Sequence, residues 1–521
     1  MTTKAERSRG NEDLCVGRIG AAVTRTAPGK VALTDGNVSL TFGDLNHRAS
    51  GFATGLMDLG VRKGDVVSAY LPNCIAYVVV VLAVARAGGI FSPINPRLKE
   101  GEIAGLLALA RPRTLVTTVD RTGMIESAIA RAEIDRPEIV SIDPDGDAGD
   151  ATFDRLCESL PGALPDVSPD DDFSLMFTSG TTGHPKGALS THRARMVWIH
   201  KAIDVYGLGT EDTYLGVMPQ VHSAGLTFTL MHLHAGGRVH IQRDFDPAEY
   251  LKLVTSERVT SSLVVPTVLV MVLSELEHGS IPRNLESLSR LVTCGSPLQP
   301  AIKEKVLKRM TPRLFDYYGS TESNSMTVLE PADQRRKPAA AGKPVAGVEI
   351  RIAGEDGTAL PTGEIGEIWC LNPSVMREYL NDSEATAAAF TDGWFHTGDL
   401  GYLDEDGYLY LVGRLKEVII SGGVNIHPAE VEQVLMCHPA VFDCAVVGLP
   451  DAKWGQIVTA CVIPRHGEHP DLADLQSHCA QELADYKKPR RLELVATIPR
   501  NAGGKTVRAE LAASLLDSAS A

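Results

Sequence analysis

The sequence predicts an α/β protein: a large N-terminal domain of doubly wound βα subdomains with a small β-barrel, followed by a small α+β C-terminal domain. Three observations predict it. Apolar short runs alternate with helical periodicity over most of the first four hundred residues, the pattern of βα units on largely parallel sheets. From Gly342 the texture changes to short strands with Gly and Pro turns. After Gly413-Arg414 a fresh series of strands and helices begins. At 521 residues the chain is too long for one core and fits two or three domains.

In chain order, Asp65 to Tyr70 reads as a strand, Ala76 to Ala87 as a helix and Leu115-Val116 as the next strand. Phe173 to Phe177 is apolar and strand-like, a polar loop follows, Ala188-Leu189 forms a short strand, and a helix starts at about Thr191. Thr213 to Met218, Arg238 to Gln242, Ser262 to Val265 and Arg290 to Thr293 continue the strand series with helices between. Val348 to Ile352 and Gly366 to Cys370 belong to the barrel-like part. Past Arg414, Val418 to Ile420 is a strand, and Pro428 suits the first turn of a helix over Ala429 to Met436. Val441 to Val447 and Val458 to Ile463 alternate like paired strands, and Leu472 to Leu483 is helical. The boundary falls at Arg414 to Glu417, giving residues 1–413 and 418–521 as the two domains.

Composition excludes several classes. Fifty basic against sixty-five acidic side chains leave a net charge of −15, which repels a polyanion, so no nucleic-acid partner is expected. Hydrophobic residues at 44% and charged residues at 22% are ordinary for a globular protein, so disorder is expected only at the ends. The nine cysteines are scattered without a Cys-x-x-Cys pair, which reads as buried thiols of a reducing compartment. The charged N-terminus lacks the apolar core of a secretory signal, and the longest apolar run, Ile75 to Ala85, falls short of the ~20 residues that span a bilayer. A cytoplasmic protein without a membrane span is expected, and a homodimer is compatible with the sequence.

The most informative stretch is Thr178-Ser179-Gly180-Thr181-Thr182-Gly183-His184-Pro185-Lys186-Gly187. Its glycines let the backbone approach an anion, its hydroxyls donate hydrogen bonds, and Lys186 supplies a mobile positive charge. It is not a P-loop signature, because Gly187 follows the lysine where Ser or Thr would be required. Four other clusters point to the same chemistry. Asp316-Tyr317-Tyr318-Gly319-Ser320-Thr321-Glu322 offers an aromatic face, a hydroxyl and a carboxylate suited to Mg2+. Thr397-Gly398-Asp399 sets a carboxylate beside a glycine turn, as the hydroxyls of a ribose require. The long ordered run from Gly413 to Glu432 contains Arg414, Lys416, Gly422 and Gly423, and Pro499 to Lys505 places a lysine on a glycine-loosened loop.

In this order and spacing the clusters resemble the adenylate-forming superfamily of acyl-CoA synthetases, peptide-synthetase adenylation domains and beetle luciferases. The resemblance spans nearly the whole chain. Its C-terminal part, in Gly448 to Gln456 and Ala484 to Pro489, looks most like 4-chlorobenzoate-type aryl or medium-chain acid-CoA ligases. What the resemblance implies is a two-step reaction: a carboxylic acid attacks the α-phosphorus of MgATP, then the thiol of coenzyme A displaces AMP. It implies a catalytic set of Lys505, His222, Glu322 and Thr178. Lys505 bridges the carboxylate and the α-phosphate, and Thr178 to Lys186 hold the outer phosphates. Glu322 with Thr178 carries magnesium. Gly295, Ser296, Pro297 and Tyr318 frame adenine, Asp316, Tyr317 and Gly319 also belong to the ATP site, Thr321 touches the α-phosphate, and Asp399 with Arg414 grips the ribose.

The resemblance also implies a mobile small domain that swings about Lys416 in a hinge at 414–417. Coenzyme A then meets Gly422, Gly423, Trp454, Lys488, Arg490 and Arg97. His222 matches a gate at the acyl pocket, or a group that orients the thiol. The acid pocket is expected to be walled by His222, Ser223, Gly225, Leu226, Cys294, Gly319, Ser323, Asn324, Ser325 and Met326. No charged side chain is evident among these, which favours an aromatic, alicyclic or medium-chain monocarboxylic acid over a dicarboxylic one. Gln220, Asp316 and Gly503-Gly504 depart from the family pattern. Asp316 matters most, since an ionised carboxylate accepts from the adenine amino group but cannot donate. An amide ligase with an amine acceptor, or an adenylating partner of a carrier protein, remains open beside the acyl-CoA reading.

Overall fold

A computed structural model describes residues 14–143, 152–160, 162–179, 185–279, 284–500 and 506–520. Two βα sheets dominate the larger part. One has nine strands in the order Lys343–Pro344, Asn324–Leu329, Leu314–Ser320, Arg290–Thr293, Ser261–Val264, Thr213–Gly216, Arg238–Ile241, Val31–Asp35 and Val38–Thr41. The run from Leu314–Ser320 to Val31–Asp35 is parallel, with antiparallel additions at both edges. The other has seven strands in the order Glu378–Tyr379, Pro185–Thr191, Asp172–Ser179, Ile90–Pro93, Val66–Tyr70, Thr114–Thr118 and Glu138–Ile142. Its last five strands are parallel, and its first two are antiparallel.

A shared core joins the sheets. Val67, Phe91 and Val116 of one and Leu33, Tyr214 and Val239 of the other belong to a single buried cluster with the helices Ile75–Arg86 and Ser223–His234. The run that was too short to span a bilayer is therefore a helix apolar on nearly every side because it is wrapped on every side. Among the described residues no helix is long and apolar enough to cross a membrane. None of the nine cysteines is bridged, and all but Cys437 are buried.

The barrel-like part is an antiparallel sheet ordered Glu349–Ala353, Gly366–Leu371 and Trp394–Leu403. Phe390–Thr391 and Leu409–Arg414 both pair with the far edge of the long last strand. Beyond it, Ile419–Ser421 and Val424–Ile426 form one hairpin, and Val441–Asp451 with Gly455–Pro464 a longer one, joined in parallel by Arg491–Leu494. Helices Pro428–Leu435, Leu472–Cys479 and Arg508–Ser520 pack on these strands around cores drawn from residues 419 onward. The third-last helix begins on Pro428 as expected. The next ends at Cys479 rather than Leu483, because Gln481 and Glu482 turn tightly back on the carbonyls of His478 and Cys479.

Candidate active site

The glycine-rich stretch sits on a hairpin. Thr178 pairs with Lys186 and Ser179 with Pro185, between the strands Asp172–Ser179 and Pro185–Thr191. Gly180, Thr181, Thr182 and Gly183 lie outside the described residues, as does Lys505. The short strand Glu378–Tyr379 adds to the hairpin edge and brings in a residue the sequence reading missed. Lys186 Nζ lies 4.8 Å from the centroid of the Tyr379 ring, and the Tyr379 hydroxyl donates to Glu322 Oε1 at 3.3 Å. Burial and then the Glu322 charge push the Tyr379 phenol up, so it stays a donor at neutral pH. No local pattern marks Tyr379, which reaches Glu322 only through strand addition.

Thr321, Glu322 and Ser323 form the tip of a second hairpin, in which Ser320 pairs with Asn324. The tip is fixed by Ser320 N donating to Ser323 Oγ at 3.0 Å, and Met376 N donates to the Glu322 carbonyl at 2.7 Å. Gly319 has no alternative, since a Cβ there would stand 1.9 Å from the Asn324 carbonyl oxygen. One carboxylate with a hydroxyl such as that of Thr178 is the oxygen set that suits Mg2+ arriving on phosphates. Among the described residues no group of three acidic, His or Cys side chains could hold a metal unaided.

A second constellation forms where the antiparallel sheet meets the nine-stranded one. The Tyr318 hydroxyl donates to Asp399 Oδ2 at 2.7 Å, and Arg414 Nε donates to Asp399 Oδ1 at 2.9 Å. Asp399 and Arg414 are cross-strand partners, and Gly398 turns into the strand at φ +69°. Burial opposes the Arg414 charge, but Asp399, then Glu417, Tyr318 and Glu322, hold it above its ordinary value. Arg414 therefore also feels the Glu322 carboxylate. Strand alternation places Tyr317 on the opposite face from Tyr318, within 6.0 Å of the Phe228 ring and 6.2 Å of Trp198. Tyr317 is thus a core residue, which corrects its expected place among the ATP-binding residues.

Asp316 pairs across the sheet with Thr293, next to the exposed turn Gly295, Ser296 and Pro297 at the carboxyl end of that strand. Ligands of open α/β sheets bind at such ends. Burial pushes the Asp316 carboxyl up to about 7, against the opposing pull of Lys303, whose Nζ lies 4.0 Å away. At neutral pH a fraction of it is therefore protonated and able to donate.

His222 caps the helix Ser223–His234 through its backbone, and its Nε2 is closed off from solvent without a partner. Burial and then the charge of Arg97 push the imidazole down, so it is neutral. The Arg97 charge therefore acts at His222. Gly225 lets the helix start hug the chain, since a Cβ would stand 2.4 Å from the Pro219 carbonyl oxygen. Leu226, Cys294 and Met326 belong to the main core cluster. Ser223, Ser323, Asn324 and Ser325 are buried, and Asn324 adopts φ +55°. Gln220 serves the backbone here, its Oε1 accepting from Cys74 N at 3.1 Å.

Two cations that the sequence reading did not weigh lie against residues of the expected acid pocket. Arg195 Nη1 donates to Ser223 Oγ at 2.9 Å and to Asn324 Oδ1 at 3.1 Å, and Lys201 lines a recess with Trp198 and Ser325. The overlooked signal was an arginine on the apolar stripe of the helix His192–Tyr206, in register with the buried Trp198, Ile199 and Ala202.

In the small domain, Gly422 N donates to the Trp454 carbonyl at 2.8 Å, and Arg490 stacks 4.4 Å from the Trp454 ring centroid. Gly422 and Gly423 take φ +61° and +80°. Lys488 pairs with Asp485 at 2.5 Å. Lys416 is exposed on the single turn Leu415–Glu417, whose last residue is tied by Arg508 Nη1 at 2.6 Å. Arg500 and Thr506 form an isolated bridge on either side of residues 501–505.

Fold and site together define an adenylate-forming enzyme of two domains. Residues 21–380 match the model of the AMP-binding enzyme family, and residues 430–505 that of the AMP-binding enzyme C-terminal domain. The chain belongs to this family. It is 35% identical over 491 residues to the feruloyl-CoA synthase of an Amycolatopsis sp, covering 94% of this chain and 96% of that one. The structure of ATP-bound MatB from Rhodopseudomonas palustris is similar with a TM-score of 0.87 at 29% identity, covering 96% of this chain and 99% of that one. The amide bond synthetase McbA from Marinactinospora thermotolerans is similar with a TM-score of 0.86 at 30% identity, with coverages of 96% and 99%.

Proposed function

We propose that this enzyme joins a carboxylic acid to coenzyme A with ATP, forming AMP and pyrophosphate. The observation that carries the reading is the convergence of Lys186, Tyr379 and Glu322 with the Tyr318–Asp399–Arg414 constellation on one side of the large domain. In the first step an oxygen of the acid forms a bond to the α-phosphorus while the bond to pyrophosphate breaks. Negative charges are forced together, so the site needs fixed cations and donors more than a proton-transfer group. Lys186 and the hairpin hydroxyls hold the outer phosphates, and Asp399 accepts from the ribose hydroxyls. Glu322 and Thr178 would hold the magnesium that accompanies ATP, which would supply charge neutralisation there. Lys505 bridges the acid and the α-phosphate.

In the second step the thiol of coenzyme A attacks the acyl carbonyl and AMP leaves. The domains are 1–413 and 418–521, and Lys416 is the hinge about which the smaller one turns between steps. Gly422 and Gly423 then line the pantetheine path, Trp454 with Arg490 and Lys488 receives the nucleotide end, and His222 orients the thiol as a neutral imidazole. Full-length protein with Mg2+, ATP, coenzyme A and a broad acid panel, read by AMP release and by thioester mass, tests this. Absence of AMP with every acid refutes it.

Similarity to the amide bond synthetase McbA favours a second reading, in which an amine replaces the thiol. Product that forms equally with and without coenzyme A when amines are supplied would select it.

A further inference from the structure

Arg195 has 0% of its surface exposed. Its Nη1 donates to Ser223 Oγ, to Thr227 Oγ1 at 2.5 Å and to Asn324 Oδ1, all neutral acceptors. Its Nε and Nη2 are closed off from solvent and have no partner. Lys201, on the same helix, has its Nζ closed off in the same way and lines a recess with Trp198, Tyr206 and Ser325. The Ser325 hydroxyl there also lacks a partner. No carboxylate of the described residues pairs with either cation. Burial pulls Arg195 down to about 10, against a weaker opposing pull from the Tyr317 phenol and with the Trp198 ring 5.7 Å from the guanidinium, and it pulls Lys201 below its ordinary value; no carboxylate offsets either.

Burying a cation without a counter-charge costs several kcal/mol, and a guanidinium with three idle donors leaves that penalty standing. Replacing Arg195 by a leucine would suit the surrounding core far better, were packing its only duty. The engaged Nη1 of the same guanidinium reaches Ser223 and Asn324, and Lys201 shares its recess with Ser325, all three residues of the proposed acid pocket. What the pocket lacks is an anion.

We propose that the acid substrate carries a second anionic group, a carboxylate or a sulfonate, and that Arg195 and Lys201 receive it at the far end of the acid pocket. This rests on the ligase reading and narrows its substrate to a dianionic acid. The planar guanidinium presents two parallel donors to a two-oxygen group, and Lys201 adds a point charge. The pocket chosen for a monocarboxylic acid from the sequence thus selects for the class the sequence argued against.

Full-length enzyme is assayed by AMP release on matched pairs: benzoate against isophthalate and 3-sulfobenzoate, and hexanoate against adipate. At least one dianionic acid is expected to exceed its monoanionic partner about tenfold in kcat/KM, and the sulfobenzoate arm tells sulfonate from carboxylate. Arg195→Met or Lys201→Met is expected to lower that kcat/KM on the order of a hundredfold, mostly through KM, while the monoanionic partner changes only a few-fold. Should either variant fail to fold, the wild-type panel and thermal protection of the wild type by the dianionic acid alone decide. AMP from monoanionic acids only, or an undiminished dianion preference in both variants, overturns the inference and leaves the ligase standing. AMP from no acid of either kind sinks both.

Discussion

Replacing Asp316 by asparagine should remove a pH dependence that the fold builds in. The Asp316 carboxyl is raised from 3.8 to about 7, a rise worth about 4 kcal/mol between its two protonation states and an upper bound on its effect. Its pKa is higher in the folded than in the unfolded chain, so its contribution to stability is fully present below 3.8 and is lost as pH rises through about 7. Asparagine cannot titrate. Lys303 keeps its donation to the Pro338 carbonyl at 2.8 Å in the variant, and its attraction to the ionised carboxylate is already contained in the raised Asp316 value. The melting temperature of the wild type relative to Asp316→Asn should therefore fall from pH 5 to pH 8.5, measured by calorimetry in low-salt buffers. The KM for ATP should follow the same titration in the wild type and be flat in the variant, because an amide donates and accepts at every pH. Parallel melting curves across that range would refute the burial argument.

Lys505→Ala should reduce acid-dependent pyrophosphate exchange at least a hundredfold while largely sparing thioester formation from preformed adenylate, which rapid-quench measurement of each half-reaction checks. Tyr379→Phe removes the 3.3 Å donor to Glu322 but keeps the ring under Lys186, so kcat/KM for MgATP should drop about tenfold with a raised magnesium requirement. Gly422→Ala places a Cβ 2.8 Å from the Trp454 ring at φ +61°. It should cost about 1–2 kcal/mol locally and slow the thiol step without touching pyrophosphate exchange.

Much of the fold was legible because hydrophobic period is a local signal. The strand Arg290–Thr293 and the helix that begins on Pro428 fall where the pattern puts them. Long-range strand choice leaves no such trace. Val31–Asp35 joins strands from beyond residue 213, although nothing near it in sequence announces that sheet. The site divides in the same way. Asp399 and Arg414 could be picked out by residue type and spacing, and pairing then places them side by side. Tyr317 and Tyr318 look equivalent in a row of two tyrosines, and only the pleat decides which faces the core. Arg195 was passed over because an arginine in a helix is ordinarily solvated, and its burial becomes visible only when the helix face is assigned.

Groups that must stay fixed sit on paired strands, and groups tied to phosphate transfer sit on turns. Tyr318, Asp399 and Arg414 are locked by sheet register and by one another, so the carboxylate is held in advance for the ribose contact proposed for it. Such preorganisation matters because a carboxylate that had to swing into place would surrender part of its interaction to the ordering of its own rotamers. Glu322 and Thr321 ride instead on a hairpin tip, and Lys416 lies on a one-turn connection between sheets. Arg500 and Thr506, which flank the segment carrying Lys505 in sequence, form an isolated bridge. In the proposed cycle Lys505 serves the first step and leaves before the second, which asks for movement at the connection that carries Lys416. On this account, stiffening the connection with Lys416→Pro should leave pyrophosphate exchange within a few-fold of the wild type and depress overall thioester formation at least tenfold. Equal loss in both half-reactions would show that the connection supports the fold and not the exchange of faces.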